Sequence, residues 1–222
     1  ASVSLIEDMP INSCFAMSKL TVAEDNDVYD SRNGCNAIIH TETNRLISGC
    51  NTTVIPDGIR TIAVAAFGAS RIETVNIPNS VSVIEDVAFH RCNNLKTVTI
   101  GNGVKEWGEQ AFLYASGDYV INSDIPDSQS QNDSPFGNSY IGNLTFGPDV
   151  TTVGTSAFAS CGRLQKVVVP KNVVTLNNSF PSSTMSELEY NSPIVFSNLF
   201  NGKGLLKVTL GEDVETIQDA AF

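Results

Sequence analysis

The stretch VSVIEDVAFHRC, residues 81–92, decides the fold because versions of it return along the whole chain. Residues 3–14 read VSLIEDMPINSC, with Val, Ser, Ile, Glu, Asp and Cys at matching places. The anchoring phenylalanine recurs at gaps of 22, 23, 24, 22, 22, 20 and 22 residues. A period held this closely predicts a stack of similar units in one elongated solenoid. The anchoring residues are Phe67, Phe89, Phe112, Phe136, Phe158, Phe180, Phe200 and Phe222.

Each unit divides into two halves with different spacing. The first half reads Val-x-x-Ile-x-x-x-Ala-Phe, and its phenylalanine is predicted to fill the interior of the coil. The second half reads Leu-x-x-Val-x-Ile followed by Pro or Gly, as in 95–101. The alternation in Val-x-Ile predicts a short half-buried strand, which Pro or Gly then ends. The sequence therefore predicts a β-rich solenoid with a parallel stack of short strands and coils of about 22–23 residues.

Two segments interrupt this period. In the first, about 23–54, the apolar runs 35–40 and 45–50 flank Thr-Glu-Thr-Asn, which is typical of an inserted β-hairpin. The hairpin places Ile38 opposite Leu46 or Ile47, and one register pairs residue 40 with residue 45. The same register places Cys35 opposite Cys50, where either a disulfide or two reduced cysteines packed on the first full coil is expected. The loop that a disulfide would close is about 15 residues long.

The second interruption, about 113–136, reads as an irregular repeat. It contains the polar run DSQSQNDS at 127–134, which we expect to form a surface loop. The unit near 191–200 is shortened and irregular too. The chain also starts and stops within a repeat, so we expect 1–222 to be a single solenoid domain of a longer protein.

Bulk composition excludes several classes of partner. The 222 residues are 41% hydrophobic, which is enough for a buried core. The net charge of −11, with no cluster of Lys and Arg along the sequence, argues against nucleic acid and anionic lipid as partners. No apolar run approaches the ~20 residues of a membrane-spanning helix. We therefore expect no membrane insertion in this part of the protein.

The pattern Ile-x-x-x-Ala-Phe-x-x-Cys-x-x-Leu-x-x-Val-x-Ile-Pro, best matched at 59–101 and 150–170, resembles the BspA-like leucine-rich repeat family. The segment around Tyr29 and Cys35 also looks like the hairpin insert of such proteins. The resemblance implies a leucine-rich-repeat solenoid in a secreted or cell-surface bacterial protein. It further implies adhesion, with a host matrix protein or another surface protein as the partner. A carbohydrate-recognition module and a structural spacer are the alternatives.

No catalytic constellation is visible in the sequence. His40 and His90 lack the spacing of metal ligands, and no nucleophile stands beside a base. The acidic clusters at 24–27 and 124–133 lack the spacing of a calcium loop. Cys14, Cys92 and Cys161 share one repeat position and are predicted to be buried. We therefore expect no enzyme activity, no metal site and no cofactor.

The outward side of the predicted strands is the remaining candidate site, and we expect it to be a concave, polar, Thr-rich wall without aromatic residues. Threonine suits strands whatever their function, so a merely solvated face is the alternative. Lys19, Thr21 and Val168 are predicted to face the same way as the candidates. The candidate binding residues are Thr74, Asn76, Thr97, Thr99, Asn143, Thr145, Lys166, Glu187, Glu189, Lys207 and Thr209.

Four aromatic residues gather in sequence around the irregular repeat. Trp107 holds the position of a buried Ile and is expected in the core. Tyr114, Tyr119 and Tyr140 are expected to pack the loop or to form a small binding hot spot, since tyrosine is favoured at interfaces. Tyr114 and Tyr119 on one exposed platform would favour sugar recognition.

Overall fold

The computed structural model describes residues 3–7, 11, 14–200 and 204–222. Over these residues the chain winds into the predicted β-solenoid, and one 3-10 turn, Arg32–Gly34, lies before the second strand. The strands are β1 (Tyr29–Asp30), β2 (Ala37–His40), β3 (Arg45–Gly49), β4 (Thr61–Ile62), β5 (Thr74–Ile77), β6 (Val83–Ile84), β7 (Thr97–Ile100), β8 (Glu106–Trp107), β9 (Ser116–Ile121), β10 (Tyr140–Phe146), β11 (Thr152–Val153), β12 (Lys166–Val169), β13 (Thr175–Leu176), β14 (Glu187–Tyr190), β15 (Ile194–Val195), β16 (Lys207–Leu210) and β17 (Thr216–Ile217).

The longer wall of the solenoid is a seven-stranded parallel sheet in the order β5-β7-β9-β10-β12-β14-β16. Its strands come from the Val-x-Ile half of each unit, as the alternation predicts. In β7, Val98 and Ile100 are buried while Thr97 and Thr99 are exposed. The sheet continues without a break through both irregular units, because β9 and β14 take their places in it.

The shorter wall comes from the Val-x-x-Ile half and is interrupted. A six-stranded sheet in the order β1-β2-β3-β4-β6-β8 ends at Trp107. Beyond it lie two separate pairs, β11 with β13 and β15 with β17. Ile125 makes a single parallel bridge to Val153, so the strand pairing of the irregular repeat in this wall is with the coil that follows it. This wall therefore breaks between β8 and Ile125 and again between β13 and β15.

The phenylalanines form a stack along the axis. The ring of Phe89 lies 4.8 Å from that of Phe67 and 4.9 Å from that of Phe112, nearly parallel to both. The backbone beside them forms a third ladder. Val87 N–H donates to Glu109 O and Phe89 N–H donates to Ala111 O at 2.7 Å, and the same pattern recurs between most successive coils. The predicted core position of the phenylalanine is thus confirmed.

In most coils the residue two places before the phenylalanine takes up a left-handed backbone conformation, which lets alternate N–H groups point at the next coil. Val87 is one such residue, with φ at 50°. A β-branched residue is strained there by about 1–2 kcal/mol. Asn178 and Asn198 hold the corresponding place before Phe180 and Phe200, with φ at 46° and 58°.

We expect Val87→Asn to raise the free energy of unfolding by about 1 kcal/mol, because asparagine tolerates this conformation. Urea denaturation monitored by circular dichroism measures the change. Val174→Asn, at an exposed residue without positive φ, is the control and should change stability by less than about 0.5 kcal/mol. A loss of stability in Val87→Asn would show that packing of the valine outweighs its strain.

The hairpin is confirmed, but its register differs from the prediction. His40 pairs with Arg45 and Ile39 with Leu46, after which a bulge shifts the pairing so that Ile38 lies opposite Ser48. The prediction that a single register carries Cys35 opposite Cys50 is therefore wrong. Period-two alternation cannot reveal one extra residue in a strand, and that residue moves every later pair by one place.

The hairpin continues the shorter wall and covers the first coil. Strand β3 pairs with β4 in parallel, and the ring of Phe67 packs against Gly49. Ile39 and Leu46 are fully buried. The Arg45 guanidinium forms an ion pair with Glu85 two coils on, at 2.5 Å.

The described residues of the first copy of the repeating phrase, 3–7, 11 and 14, form no strand. Among the described residues before β1, which are 3–7, 11 and 14–28, there is no strand. Val3 and Cys14 are exposed, whereas their counterparts Val81 and Cys92 are fully buried. The prediction that Cys14 is a core residue is wrong. The physical reason is that the hairpin occupies the edge of the first coil, where a preceding unit would stack.

Candidate functional site

The outward face of the longer wall carries all eleven candidate residues, and none of them is buried. Strand register aligns them in two rows that run across the sheet. Lys19 and Thr21 are exposed but lie on no strand, so their predicted place on this face is wrong. One row holds Thr74, Thr97, Asn143, Lys166, Glu187 and Lys207; the other holds Asn76, Thr99, Thr145, Val168, Glu189 and Thr209.

Two further residues belong to these rows. Asp118 lies beside Thr97, and its carboxylate accepts a hydrogen bond from Asn143 N–H at 2.9 Å across an irregular step in β10. Val120 pairs with Thr99 and Thr145 and is exposed. Sequence reasoning missed both because Ser-Gly-Asp was taken as part of an interruption. The pattern that could have identified them is the alternation of Asp118 and Val120 with Tyr119 and Ile121, which is typical of a half-buried strand.

Charge divides the outward face into two halves. The three earliest strands present mostly neutral Thr and Asn, with Thr97 Oγ donating to Thr74 Oγ at 3.3 Å. The later strands present opposite charges: Lys166 pairs with Glu189 at 2.9 Å, and Lys207 Nζ lies 3.6 Å from Glu187. Ion pairs this exposed stabilise a fold little, by about 0–1 kcal/mol. Their charges are therefore available to a partner.

The aromatic residues of the irregular repeat separate into inner and outer groups. The Trp107 ring lies 5.4 Å from Phe136, and its indole N–H donates to Asp124 O at 3.0 Å. Tyr119 is buried edge-on to Phe112. Tyr114 and Tyr140 instead stack on each other outside the core, with ring centres 5.7 Å apart. An exposed platform made by Tyr114 and Tyr119 does not form, which removes the feature expected of sugar recognition.

The hydroxyl of Tyr119 has no hydrogen-bond partner among the described residues. Burial raises the pKa of this phenol well above its usual range. A buried unpaired hydroxyl costs about 1–3 kcal/mol. The hydroxyl of Tyr190, by contrast, donates to Ile194 O at 2.7 Å.

Replacing tyrosine by phenylalanine is expected to have opposite effects on stability at these two positions. Tyr119→Phe is expected to raise the free energy of unfolding by about 1 kcal/mol, because it removes an unpaired polar group. Tyr190→Phe, the matched control, is expected to lower it by about 1 kcal/mol, because it leaves the Ile194 carbonyl without a donor. Chemical denaturation of both variants measures the difference. Equal losses would show that the Tyr119 hydroxyl is satisfied by a buried water.

The histidines lie apart from each other. His40 Nδ1 is 2.9 Å from Thr43 Oγ1 in the hairpin turn, and His90 lies after an anchoring phenylalanine. Burial, followed by the charge of Arg91, lowers the pKa of His90. Within the described ranges, no group of three or more His, Cys, Asp or Glu side chains is arranged to hold a metal ion. No described helix has the length and apolar character needed to cross a bilayer.

All five cysteines are free thiols. Burial raises the pKa of Cys92 to about 12 and that of Cys161 to about 11, and it also raises the pKa of Cys35. Since the thiolate is the nucleophile, these groups are unreactive at neutral pH. Cys14 is exposed.

Maleimide is therefore expected to label Cys14 alone in the folded protein at neutral pH, with the other four thiols reacting only after unfolding in urea. Mass spectrometry of protein purified without reductant counts the labels. Labelling of three thiols rather than five in urea would show that Cys35 and Cys50 form a disulfide. Rapid labelling of Cys92 in the folded protein would contradict the burial of this thiol.

A family profile described as "BspA type Leucine rich repeat region (6 copies)" matches residues 39–131 and 119–222. No match was found among the curated proteins. Among solved structures, the chain is similar to a leucine-rich repeat protein from Bacteroides ovatus ATCC 8483, with 17% identity and a TM-score of 0.36. That similarity covers 98% of this chain and 67% of that chain. Because the family profile matches most of its length, this chain belongs to the BspA-type leucine-rich repeat family.

Proposed function

We propose that this chain is a noncatalytic protein-binding module, used for adhesion by a secreted or cell-surface bacterial protein. The observation that carries the proposal is the outward face of the longer wall, where two rows of side chains, polar except for Val120 and Val168, cross seven strands. The repeat family is generally noncatalytic and is typical of bacterial surface or secreted proteins. Membership therefore supports both the binding role and the location.

The size of this face favours a protein partner. Six steps of about 4.8 Å between seven strands give it a length of about 29 Å, which suits a protein surface better than a small ligand. The composition of the face, with its polar groups and ion pairs, resembles that of a transient interface. Such an interface is no more apolar than the rest of the protein surface. Solenoids present such extended faces to partners because each unit adds one strand.

The test is a binding screen followed by variants of the face. The immobilised chain is presented with host matrix proteins, bacterial surface proteins and a glycan array. Thr99→Arg combined with Thr145→Arg places two bulky cations at the centre of the face, and we expect it to weaken binding of the captured protein at least tenfold. Gln129→Arg with Asn177→Arg adds the same charge at exposed residues elsewhere and is the control.

Three outcomes would contradict the proposal. Equal weakening by both pairs of substitutions would show that the outward face is not the binding surface. Selective binding to glycans, with no protein captured, would replace protein binding by carbohydrate recognition. If neither proteins nor glycans bind, the chain acts as a spacer between other parts of its protein.

A further inference from the structure

One corner of this acidic protein has no carboxylate in the five residues that follow each ring, although Glu73 comes directly after the first of these segments. The corner is formed by the first five residues after each of the first six anchoring phenylalanines, and we name it the arginine corner. None of these segments contains Asp or Glu, although the chain has 24 acidic residues. Three arginines and one histidine lie in them. The segments are 68–72, 90–94, 113–117, 137–141, 159–163 and 181–185.

Hydrogen bonds between coils place these segments side by side. Ala69 N–H donates to His90 O at 2.7 Å, and Arg91 N–H donates to Leu113 O at 2.8 Å. Asn138 N–H continues the ladder to Ala159 O at 2.9 Å. The corner therefore runs over four coil steps, from the coil of Phe67 to that of Phe158, which is about 19 Å.

The rings of the corner touch one another along this line. His90 lies 6.4 Å from Tyr114, and Tyr114 stacks on Tyr140 at 5.7 Å. The Arg163 guanidinium lies 4.5 Å above the Tyr140 ring. Neighbours thus cover the faces of both tyrosine rings, which argues against a stacked sugar. The groups of the corner that a partner can still contact are the exposed arginine side chains and the edges of the tyrosine rings.

The three guanidinium groups of the corner are exposed and unpaired. In the described ranges, no ion pair with a carboxylate is formed by Arg71, Arg91 or Arg163. The lysines of the adjoining sheet differ, since Lys96 pairs with Glu73 at 2.6 Å and Lys166 with Glu189. Lys105, on the other side of the solenoid, lines a cleft with Asp124 and Asp149. Within the described residues, the corner brings together three arginines without an ion pair in segments that contain no Asp or Glu.

We propose that the arginine corner binds an acidic peptide segment of the partner protein, with carboxylates on Arg91 and Arg163. The inference rests on the proposed protein-binding function and adds the chemistry of the partner. An extended segment of about six residues spans the corner, at about 3.3 Å per residue. Guanidinium groups suit carboxylates because their paired N–H donors match both oxygens.

The test uses the whole chain and a fluorescein-labelled (Glu-Gly)5 peptide, followed by fluorescence anisotropy at low salt. Arg91→Gln with Arg163→Gln is expected to weaken binding at least fivefold, because it removes two charged hydrogen-bond donors. Lys105→Gln with Lys171→Gln removes the same charge from exposed, unpaired lysines elsewhere and is the matched control. The control is expected to stay within twofold of the unmodified chain, and added salt should weaken binding in all forms.

Three outcomes would overturn the inference. One is no saturable binding of the peptide, and another is equal weakening by both double variants, which would reflect net charge alone. The third is tighter, arginine-dependent binding of an unlabelled acidic polysaccharide, which would make a glycan the occupant. The proposed function survives each of the first two results if a captured protein still depends on Thr99 and Thr145. Circular dichroism confirms that the arginine variants are folded.

Discussion

Phe89→Ala is expected to lower the free energy of unfolding by about 3–5 kcal/mol. The side chain is fully buried and lies between two parallel rings, with Phe67 at 4.8 Å and Phe112 at 4.9 Å. Its removal leaves a cavity that the coils cannot close, because the hydrogen-bond ladders fix their spacing. A shift of the urea midpoint, at unchanged slope, measures the loss.

Phe222→Ala is the matched control. It deletes the same atoms at the same repeat position, but the ring is 43% exposed and contacts only one phenylalanine of the stack, Phe200 at 6.0 Å. We expect a loss of about 1 kcal/mol or less. Equal losses in the two variants would contradict the stack as the main source of stability.

Gly108→Ala is expected to destabilise the fold by about 3 kcal/mol. Gly108 follows β8, and its N–H donates to Ile84 O at 2.6 Å. A Cβ atom here would lie within 2.7 Å of Asp86 Cα and closer still to the backbone of Glu85. Backbone cannot rotate away as a side chain can, so the two coils would have to separate. Thermal or urea denaturation detects the change.

Gly162→Ala is the control for this substitution. A Cβ atom at Gly162 meets nothing within 4 Å, and φ there is not positive. We expect it to be neutral or to stabilise by about 0.4–1 kcal/mol, because alanine restricts the unfolded chain. If Gly108→Ala were equally harmless, the close contact between these coils would be absent in solution.

The repeat period was sufficient to predict the solenoid. The gaps between phenylalanines placed each ring at the same depth, and the Val-x-Ile alternation separated buried from outward residues. That is why all eleven candidate residues lie on the outward face. The Thr-Glu-Thr-Asn turn likewise predicted the hairpin and the pairing of His40 with Arg45.

The failures have physical causes that lie outside a repeat pattern. Residues 3–14 copy the pattern well, but the hairpin holds the place where they would stack. Serines in the polar runs were taken as loop residues, yet Ser134 is fully buried and its hydroxyl donates to Ala157 O in the next coil. Tyr140 and Arg163 meet although they stand at different distances from their phenylalanines. Such contacts depend on the relative positions of neighbouring coils, and the spacing of residues in the sequence does not determine these positions.

The two breaks in the shorter wall bear on how the molecule comes apart. Stacked coils make most of their contacts with their immediate neighbours, so the cooperativity of unfolding depends on each junction between successive coils. After β8 and after β13, the strand pairing of the shorter wall is missing between the described residues of successive coils. We expect local opening to take less free energy at these two junctions than elsewhere, so that amide protons exchange in three blocks rather than one. By this prediction the single solenoid unfolds as three foldons in a row.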